Sequence, residues 1–301
     1  MNEDNVKVNS AKAWYLASRP KTLTAAMIPV IVACALAYAD GSFKAIPAVV
    51  CAVFAGLMQI ASNLINDLYD FTKGSDREDR LGPRRAMAQG WITPTAMRVG
   101  IVAVLTVACV CGCLLVSRAG LWLVAVGGAC VVFAFLYTTV LSYHGFDDVL
   151  VLVFFGWMPV LATYYLQTGT LNVAAAVCAT ACGVVIDTLL TLNNFRDRDA
   201  DTKSGKRTLI VDFGARFGSR LYLGLGIAAC LLCLSLLFFG KPLAALLPLL
   251  YLVPHISTWR TMVGIDHGRE LNRVLGMTSR NMFIFGLLLA AGLCADKLFI
   301  S

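Results

Sequence analysis

Charge is what this chain has little of. Asp, Glu, Lys and Arg make up 14% of its 301 residues, whereas a soluble globular domain carries about a quarter. With 58% hydrophobic residues and a mean hydropathy of +0.75, a soluble enzyme is excluded. Histidine is scarce too: His144, His255 and His267 are dispersed without metal-ligand spacing, which leaves them as packing or interfacial residues. A secretory leader is also missing. Met1 to Lys21 is polar, with Lys7, Lys12, Arg19 and Lys21, and the apolar run that follows is too long for a leader core. The N-terminus is therefore expected to stay cytoplasmic.

Cysteine, by contrast, is plentiful, with eleven in the chain. Cys109, Cys111 and Cys113, and Cys230 with Cys233, have spacings that imitate a metal site. No histidine or acid accompanies them, and all eleven lie in apolar stretches. They are expected to act as small hydrophobes between closely packed helices.

Nine apolar runs are long enough to cross a bilayer: 22–39, 45–65, 97–117, 120–141, 149–166, 172–192, 219–239, 242–258 and 281–295. The expectation is an all-α fold, one integral membrane domain over residues 1–301. With the N-terminus inside, 21 of the 25 Lys and Arg fall on the tail and the even-numbered connections; only Lys44, Arg118, Lys241 and Lys297 fall on the other side. That asymmetry matches the positive-inside rule. The net charge of +7 thus reads as cytoplasmic loops facing a lipid bilayer, with no nucleic-acid partner. The connection after the fourth run breaks the pattern, since 143–148 carries Asp147 and Asp148 but no Lys or Arg.

Two segments concentrate the acids. The second run ends in Asn63, Asn66, Asp67 and Asp70, followed by Lys73, Asp76 and Arg77; the sixth ends in Asn193, Asn194, Arg196, Asp197 and Asp201, followed by Lys203 and Lys206. Spacings of three and four place these carboxylates on shared helix faces, and an even number of crossings puts both segments on one side of the membrane. Carboxylates this close repel one another unless a cation compensates. An all-oxygen set suits Mg2+, whose coordination is commonly completed by phosphate oxygens, and the interspersed Lys and Arg suit the same anion. Taken singly, either segment reads equally well as surface charge; the pair, each opened by Asn at the end of an apolar helix, points to Mg2+ around a diphosphate.

The metal candidates are Asn63, Asn66, Asp67, Asp70, Asp76, Asp197 and Asp201, of which Asp67, Asp70, Asp197 and Asp201 are the expected catalytic set. Lys21, Lys73, Arg77, Arg196 and Lys206 are diphosphate candidates, with Asn193 and Asn194 beside them. Arg84 and Arg85 suit a carboxylate-bearing acceptor through bidentate pairing. Tyr137, Tyr143 and Asp148 are further acceptor candidates. Asp187, in mid-helix, is expected to make a hydrogen-bonded helix contact.

These motifs resemble the UbiA-type intramembrane prenyltransferases, whose acidic motifs have the forms N-D-x-x-D and D-x-x-x-D; Asn66-Asp67-x-x-Asp70 and Asp197-x-x-x-Asp201 match them. Ser18-Arg19-Pro20-Lys21-Thr22-Leu23, Asp79-Arg80-Leu81-Gly82-Pro83 and Gly205-Lys206-x-Thr208-Leu209 are similar to the branch that prenylates 1,4-dihydroxy-2-naphthoate. The likeness spans roughly residues 18 to 218. It implies nine transmembrane helices around a central cavity and, as substrates, polyprenyl diphosphate and 1,4-dihydroxy-2-naphthoate. It further implies Mg2+, with two ions bridging the diphosphate, and a decarboxylating transfer that gives demethylmenaquinone in a bacterial inner membrane. One departure stands out: where that branch shows Gly-Leu-Gly-Glu, this chain has Gly145-Phe146-Asp147-Asp148. Other readings are a different acceptor, such as 4-hydroxybenzoate, homogentisate or a porphyrin-like ring, and a cation transporter built on Asp187. A phospholipid head-group transferase lacks its own motif here.

Overall fold

The computed structural model describes residues 6–74, 81–139, 145 and 147–299, apart from the side chains of 117–119 and 136–139. A short α1 (Ala11–Ala17) leads into α2 (Leu23–Ala39), α3 (Ala45–Thr72), α4 (Pro94–Ala119) and α5 (Trp122–Thr139). After α6 (Asp147–Val151) a π-helical stretch, Leu152–Trp157, runs on into α7 (Met158–Thr168). Then come α8 (Val173–Ser204), α9 (Leu209–Phe213), α10 (Ala215–Leu234), α11 (Pro242–Leu246), α12 (Leu252–Ile265) and α13 (Leu271–Phe299).

Each apolar run corresponds to a helical segment: among the described residues eight are long and apolar enough to span a membrane, and Trp122–Phe135 of α5 is a shorter apolar ninth. The edges differ from expectation in one direction. α3 continues past 65 to Thr72 and α8 past 192 to Ser204. A helix satisfies its own backbone groups whether or not its side chains are apolar, so hydropathy marks where lipid ends and not where the helix ends. With 32 residues, α8 is about 48 Å long, against about 30 Å of hydrocarbon. Its polar end, like that of α3, extends beyond the apolar stretch and carries an acidic motif there.

Local signals set the ends. Asn172 caps α8 by accepting the Ala175 N–H at 2.8 Å, and Gly205, at φ +71°, closes it. α8 is the central post, because its faces are small: Ala174, Ala175, Cys178, Ala179, Ala181, Cys182 and Val185 are all buried. Cys178 and Cys182 meet Cys230 and Cys233 of α10 in the same core, and all the cysteines are free, as packing residues should be. On the far side of the core Gly286 of α13 lets Ile28 of α2 approach; a Cβ there would lie 2.7 Å from an Ile28 methyl.

The end of the bundle opposite the motifs is tied by polar contacts. Asp40 accepts from Lys241 at 2.8 Å, from Tyr164 at 2.6 Å and from Asn172 at 3.2 Å. Nearby, Asp296 accepts the Leu243 and Ala244 N–H groups, and the Lys297 ammonium donates to the Tyr38 carbonyl. The odd-numbered connections therefore gather at one face and the acid-bearing ones at the other, the sidedness that the basic residues imply.

Candidate active site

Two faces of the α3 end do different work. Asn63 and Asp67 point into the protein and dock other segments. The Asn63 amide donates to the Ser18 carbonyl and the Thr22 hydroxyl, both at 2.9 Å, and its oxygen accepts from Gln59 at 3.3 Å. Every polar atom of Asn63 is thus engaged with protein, which makes it an anchor for the Ser18–Thr22 segment in place of the metal ligand its sequence position suggests. Asp67, 1% exposed, accepts the backbone N–H of Ala86 at 2.9 Å and of Met87 at 3.3 Å. It staples the connection after α3 back onto its own helix.

Asn66 and Asp70 occupy the other face. Arg85 forms an ion pair with Asp70 and donates to the Asn66 carbonyl at 2.7 Å. Arg85 was expected to hold an acceptor carboxylate; being buried and ion-paired with Asp70, it belongs to the first acidic motif instead. Arg84, its neighbour, is exposed. Lys73 closes α3 and lies over the Tyr69 ring at 4.6 Å, and Lys21 is exposed near the motif face.

On α8, Arg196 grips Asp197 with two hydrogen bonds, of 2.8 and 2.6 Å, and donates a third to Asn272 at 3.0 Å. Asn272 in turn donates to the Leu81 carbonyl at 2.7 Å. The connection that starts at Leu81 and reaches Asp67 through Ala86 and Met87 therefore joins the two acidic motifs. Sequence reasoning missed Asn272, whose partner lies 191 positions away. Asn193 bonds the Leu189 carbonyl within α8, and Asn194 is buried there.

Lys206 lies 3.8 Å from Asp201 and 3.9 Å from Asp147. Asp147 is 2% exposed; the sequence marks it as an acid in a connection without Lys or Arg but gives it no role. Asp148 and the buried Asp187 face each other between α6 and α8, and one oxygen of Asp187 has no hydrogen-bond partner. Asp76, Arg77 and Tyr143 lie outside the described residues, as does the Tyr137 side chain.

Among the described residues no three acids converge on one point, because Arg85 and Arg196 occupy the inner faces of Asp70 and Asp197. The donor chemistry nonetheless suits a hard cation: it is all oxygen, and one Asp201 oxygen is buried without a hydrogen-bond partner.

Below the motifs lies an apolar cavity of about 140 Å³, bounded by Phe54, Met58, Phe133, Phe154 and Phe155 and closed at its upper end by Gln59 and Ser62. Met58, Ser62, Asn66 and Asp70 are spaced by four along α3, so the ridge that lines the cavity runs straight up to the Asn66–Asp70–Arg85 cluster. Opposite, Leu150 and Phe154 line the cavity, and Asp147 stands one turn above Leu150.

An apolar cavity whose α3 wall leads up to an acidic, arginine-bearing helix terminus suits an intramembrane enzyme of the prenyl-transfer type, and comparison with known proteins agrees. The UbiA prenyltransferase family model matches residues 26–287, and the chain belongs to that family. It is 38% identical over 239 residues to the 1,4-dihydroxy-2-naphthoate octaprenyltransferase of Escherichia coli strain K12, covering 76% of this chain and 77% of that one. It is 32% identical to the enzyme of the same name from Mycobacterium tuberculosis, covering 95% and 98%. Among solved structures, a UbiA homologue from Aeropyrum pernix K1 superimposes with a TM-score of 0.69 at 14% identity, covering 90% of this chain and 97% of that one. A homologue from Archaeoglobus fulgidus, bound to GPP and Mg2+, superimposes with a TM-score of 0.64 at 13% identity, covering 93% and 99%. These last two establish the fold.

Proposed function

We propose that this protein transfers a polyprenyl group from polyprenyl diphosphate to 1,4-dihydroxy-2-naphthoate, with loss of CO2, giving the hydroquinone demethylmenaquinol, which becomes demethylmenaquinone only on a separate two-electron oxidation. The observation that carries the reading is the continuity of the Met58–Ser62–Asn66–Asp70 ridge, which puts an apolar chain and a diphosphate on one line. The naphthoate acceptor rests on the names of the relatives together with the motifs around Lys21, Lys73 and Lys206.

Asp70, Asp197 and Asp201, with Asn66, would hold Mg2+, two ions in our reading, while Asp67 supports them by pinning the Ala86–Met87 backbone; bound there, Mg2+ would neutralise charge developing on the departing diphosphate. Arg85 and Arg196 each hold a carboxylate in a geometry equally suited to phosphate oxygens, and Lys206 supplies a third positive charge. As the carbon–oxygen bond of the donor breaks, these donors stabilise the leaving anion. The faces of Phe54, Phe133, Phe154 and Phe155 offer their negative quadrupole to the allylic cation left behind, and the apolar walls keep water from it. The ring carbon bearing the carboxylate forms the new carbon–carbon bond. The carboxylate then leaves as CO2, and its electron pair restores the aromatic ring. Asp147, beside Lys206, lies at the mouth where the acceptor enters.

The distribution of Lys and Arg supports a cytoplasmic motif face and an N-terminus inside, and the menaquinone-type reaction supports a bacterial inner membrane. The chemistry is tested with carboxyl-radiolabelled dihydroxynaphthoate and a polyprenyl diphosphate in detergent. Label should be released as CO2 in step with prenylated product; prenylated product that keeps the label would refute the decarboxylation.

A further inference from the structure

The connection between α12 and α13 contains a backbone conformation that its own sequence makes unfavourable. Ile265, Asp266 and His267 form a γ-turn, in which the Ile265 carbonyl accepts the His267 N–H at 2.7 Å, and Asp266 at its centre has φ +56° and ψ −45°. Turns of this hand are rare, because a Cβ at positive φ crowds its own backbone. Glycine would adopt the turn without strain, and Gly268, two residues on, has a positive φ of +91°. A non-glycine residue held in such a conformation persists only where its surroundings over-determine it, a pattern that clusters at functional sites.

Here the surroundings are supplied by α8. Arg198, which follows Asp197 in the second acidic motif and is buried, donates to the Asp266 carbonyl at 2.8 Å and to the Asp266 Oδ1 at 3.3 Å. Its guanidinium is itself fixed, by a bond to the Phe195 carbonyl at 2.8 Å and by lying over the Phe195 ring at 4.5 Å. His267 Nδ1 lies 2.5 Å from the other Asp266 oxygen. Both carboxylate oxygens thus help to hold a turn that glycine could form but could not lock.

What the turn sets is the start of α13. Leu271 and Val274 are fully buried in one core with Phe195 and Met262. Asn272, next to Leu271, then falls where it accepts from Arg196 and donates to the Leu81 carbonyl. Two arginines of α8 therefore grip this part of the chain at two points, Arg198 at Asp266 and Arg196 at Asn272. We propose that Asp266 is a positioning residue of the active site: its turn, locked by Arg198, fixes the first turn of α13 so that Asn272 holds Arg196 on Asp197 and ties the 81–93 connection to α8. Asp266 lies in neither acidic motif and acts on the site through Asn272. The inference rests on the prenyl-transfer reading for its effect on turnover and not for its geometry.

The test compares two substitutions at one position. Asp266→Ala keeps the strain and loses the side-chain contacts, whereas Asp266→Asn tolerates positive φ and keeps an oxygen for Arg198. With a polyprenyl diphosphate and dihydroxynaphthoate, kcat/KM should fall about fivefold in Asp266→Ala and stay within about twofold of wild type in Asp266→Asn. Because Asp266 acts through Asn272, adding Asp266→Ala to Asn272→Ala should lower kcat/KM no further. Asp266→Ala within about twofold of wild type, an equal loss in both Asp266 variants, or a double variant that loses the product of the two single losses would each overturn the proposal. Hydrogen exchange reads the geometry without turnover. The Leu271, Asn272 and Arg273 amides, which bond back to Gly268, Arg269 and Glu270, should exchange about tenfold faster in Asp266→Ala, with amides in the centre of α8 unchanged. Unchanged protection at the start of α13 would equally overturn it. If wild-type protein transfers no prenyl group to any acceptor, the reading of the preceding section fails, yet the exchange measurement still decides this one.

Discussion

Asp67→Ala separates the structural part of the first acidic motif from its chemical part. The Asp67 carboxylate accepts two backbone N–H bonds from the 81–93 connection, at 2.9 and 3.3 Å, in a site where the residue is 1% exposed. Hydrogen bonds to charged groups are worth about 1.5–3 kcal/mol each, and the longer bond counts toward the lower end. Removing the carboxylate should therefore loosen the connection by about 3 kcal/mol, which at 1.4 kcal/mol per tenfold is a roughly hundredfold gain in local opening. The opening is local, because the helices beneath keep their own cores. Hydrogen exchange of the variant in detergent or nanodiscs reads it directly: the Ala86 and Met87 amides should exchange about two orders of magnitude faster, with amides in the centre of α8 unchanged. Asp67→Asn, which keeps one acceptor oxygen, should fall between the two. Unchanged protection at Ala86 and Met87 in Asp67→Ala would refute the staple, and turnover near the wild-type level would remove Asp67 from the essential set.

Other perturbations reach other parts of the account. Asn272→Ala cuts the link between Arg196 and Leu81 and should lower kcat/KM about tenfold with little loss of thermal stability; equal losses of both would make Asn272 a packing residue only. Asp197→Ala should abolish turnover and leave folded, membrane-inserted protein, as judged by size-exclusion chromatography and activity. Gly226→Ala would place a methyl group 2.2 Å from Nε2 of His255, whose ring stacks between Tyr222 and Tyr251, and overpacking of this kind costs about 1–3 kcal/mol, measurable as a lower unfolding temperature. At the opposite face, burial alone would raise the Asp40 carboxyl, but Lys241, Tyr164 and Asn172 outweigh it and hold the group below the usual carboxylate range. The folded-state value is depressed, so Asp40 contributes stability above its unfolded value of about 3.9, and that contribution is lost as pH falls through the folded value. Unfolding midpoints followed from neutral pH into that acid range should show a step that Asp40→Asn abolishes.

The crossings were legible because lipid demands runs of apolar residues, and both acidic motifs because their spacings repeat on helices that point the same way. The ends of α3 and α8 were less so: hydropathy falls at the membrane surface while the helix goes on. The partners of individual arginines were not legible at all. Sequence offers Arg85 only an acceptor carboxylate, and the return of the 81–93 connection, pinned by Asp67, is what pairs it with Asp70. Asn272 was hidden for the same reason, since it matters through a residue remote in the chain, and Asp147 stood out only as an acid in a connection without Lys or Arg. Asn63 carries the opposite lesson, for a residue inside a metal-like motif can be fully engaged in docking Ser18 and Thr22.

The central claim is metal-dependent transfer to a naphthoate ring, and one comparison tests it most directly. Purified protein in detergent is given an eight-isoprene diphosphate with either 1,4-dihydroxy-2-naphthoate or 4-hydroxybenzoate, each with Mg2+ supplied or chelated. Prenylated product should form with naphthoate and Mg2+ and vanish on chelation. Product that survives chelation, or that forms only with 4-hydroxybenzoate, would contradict it.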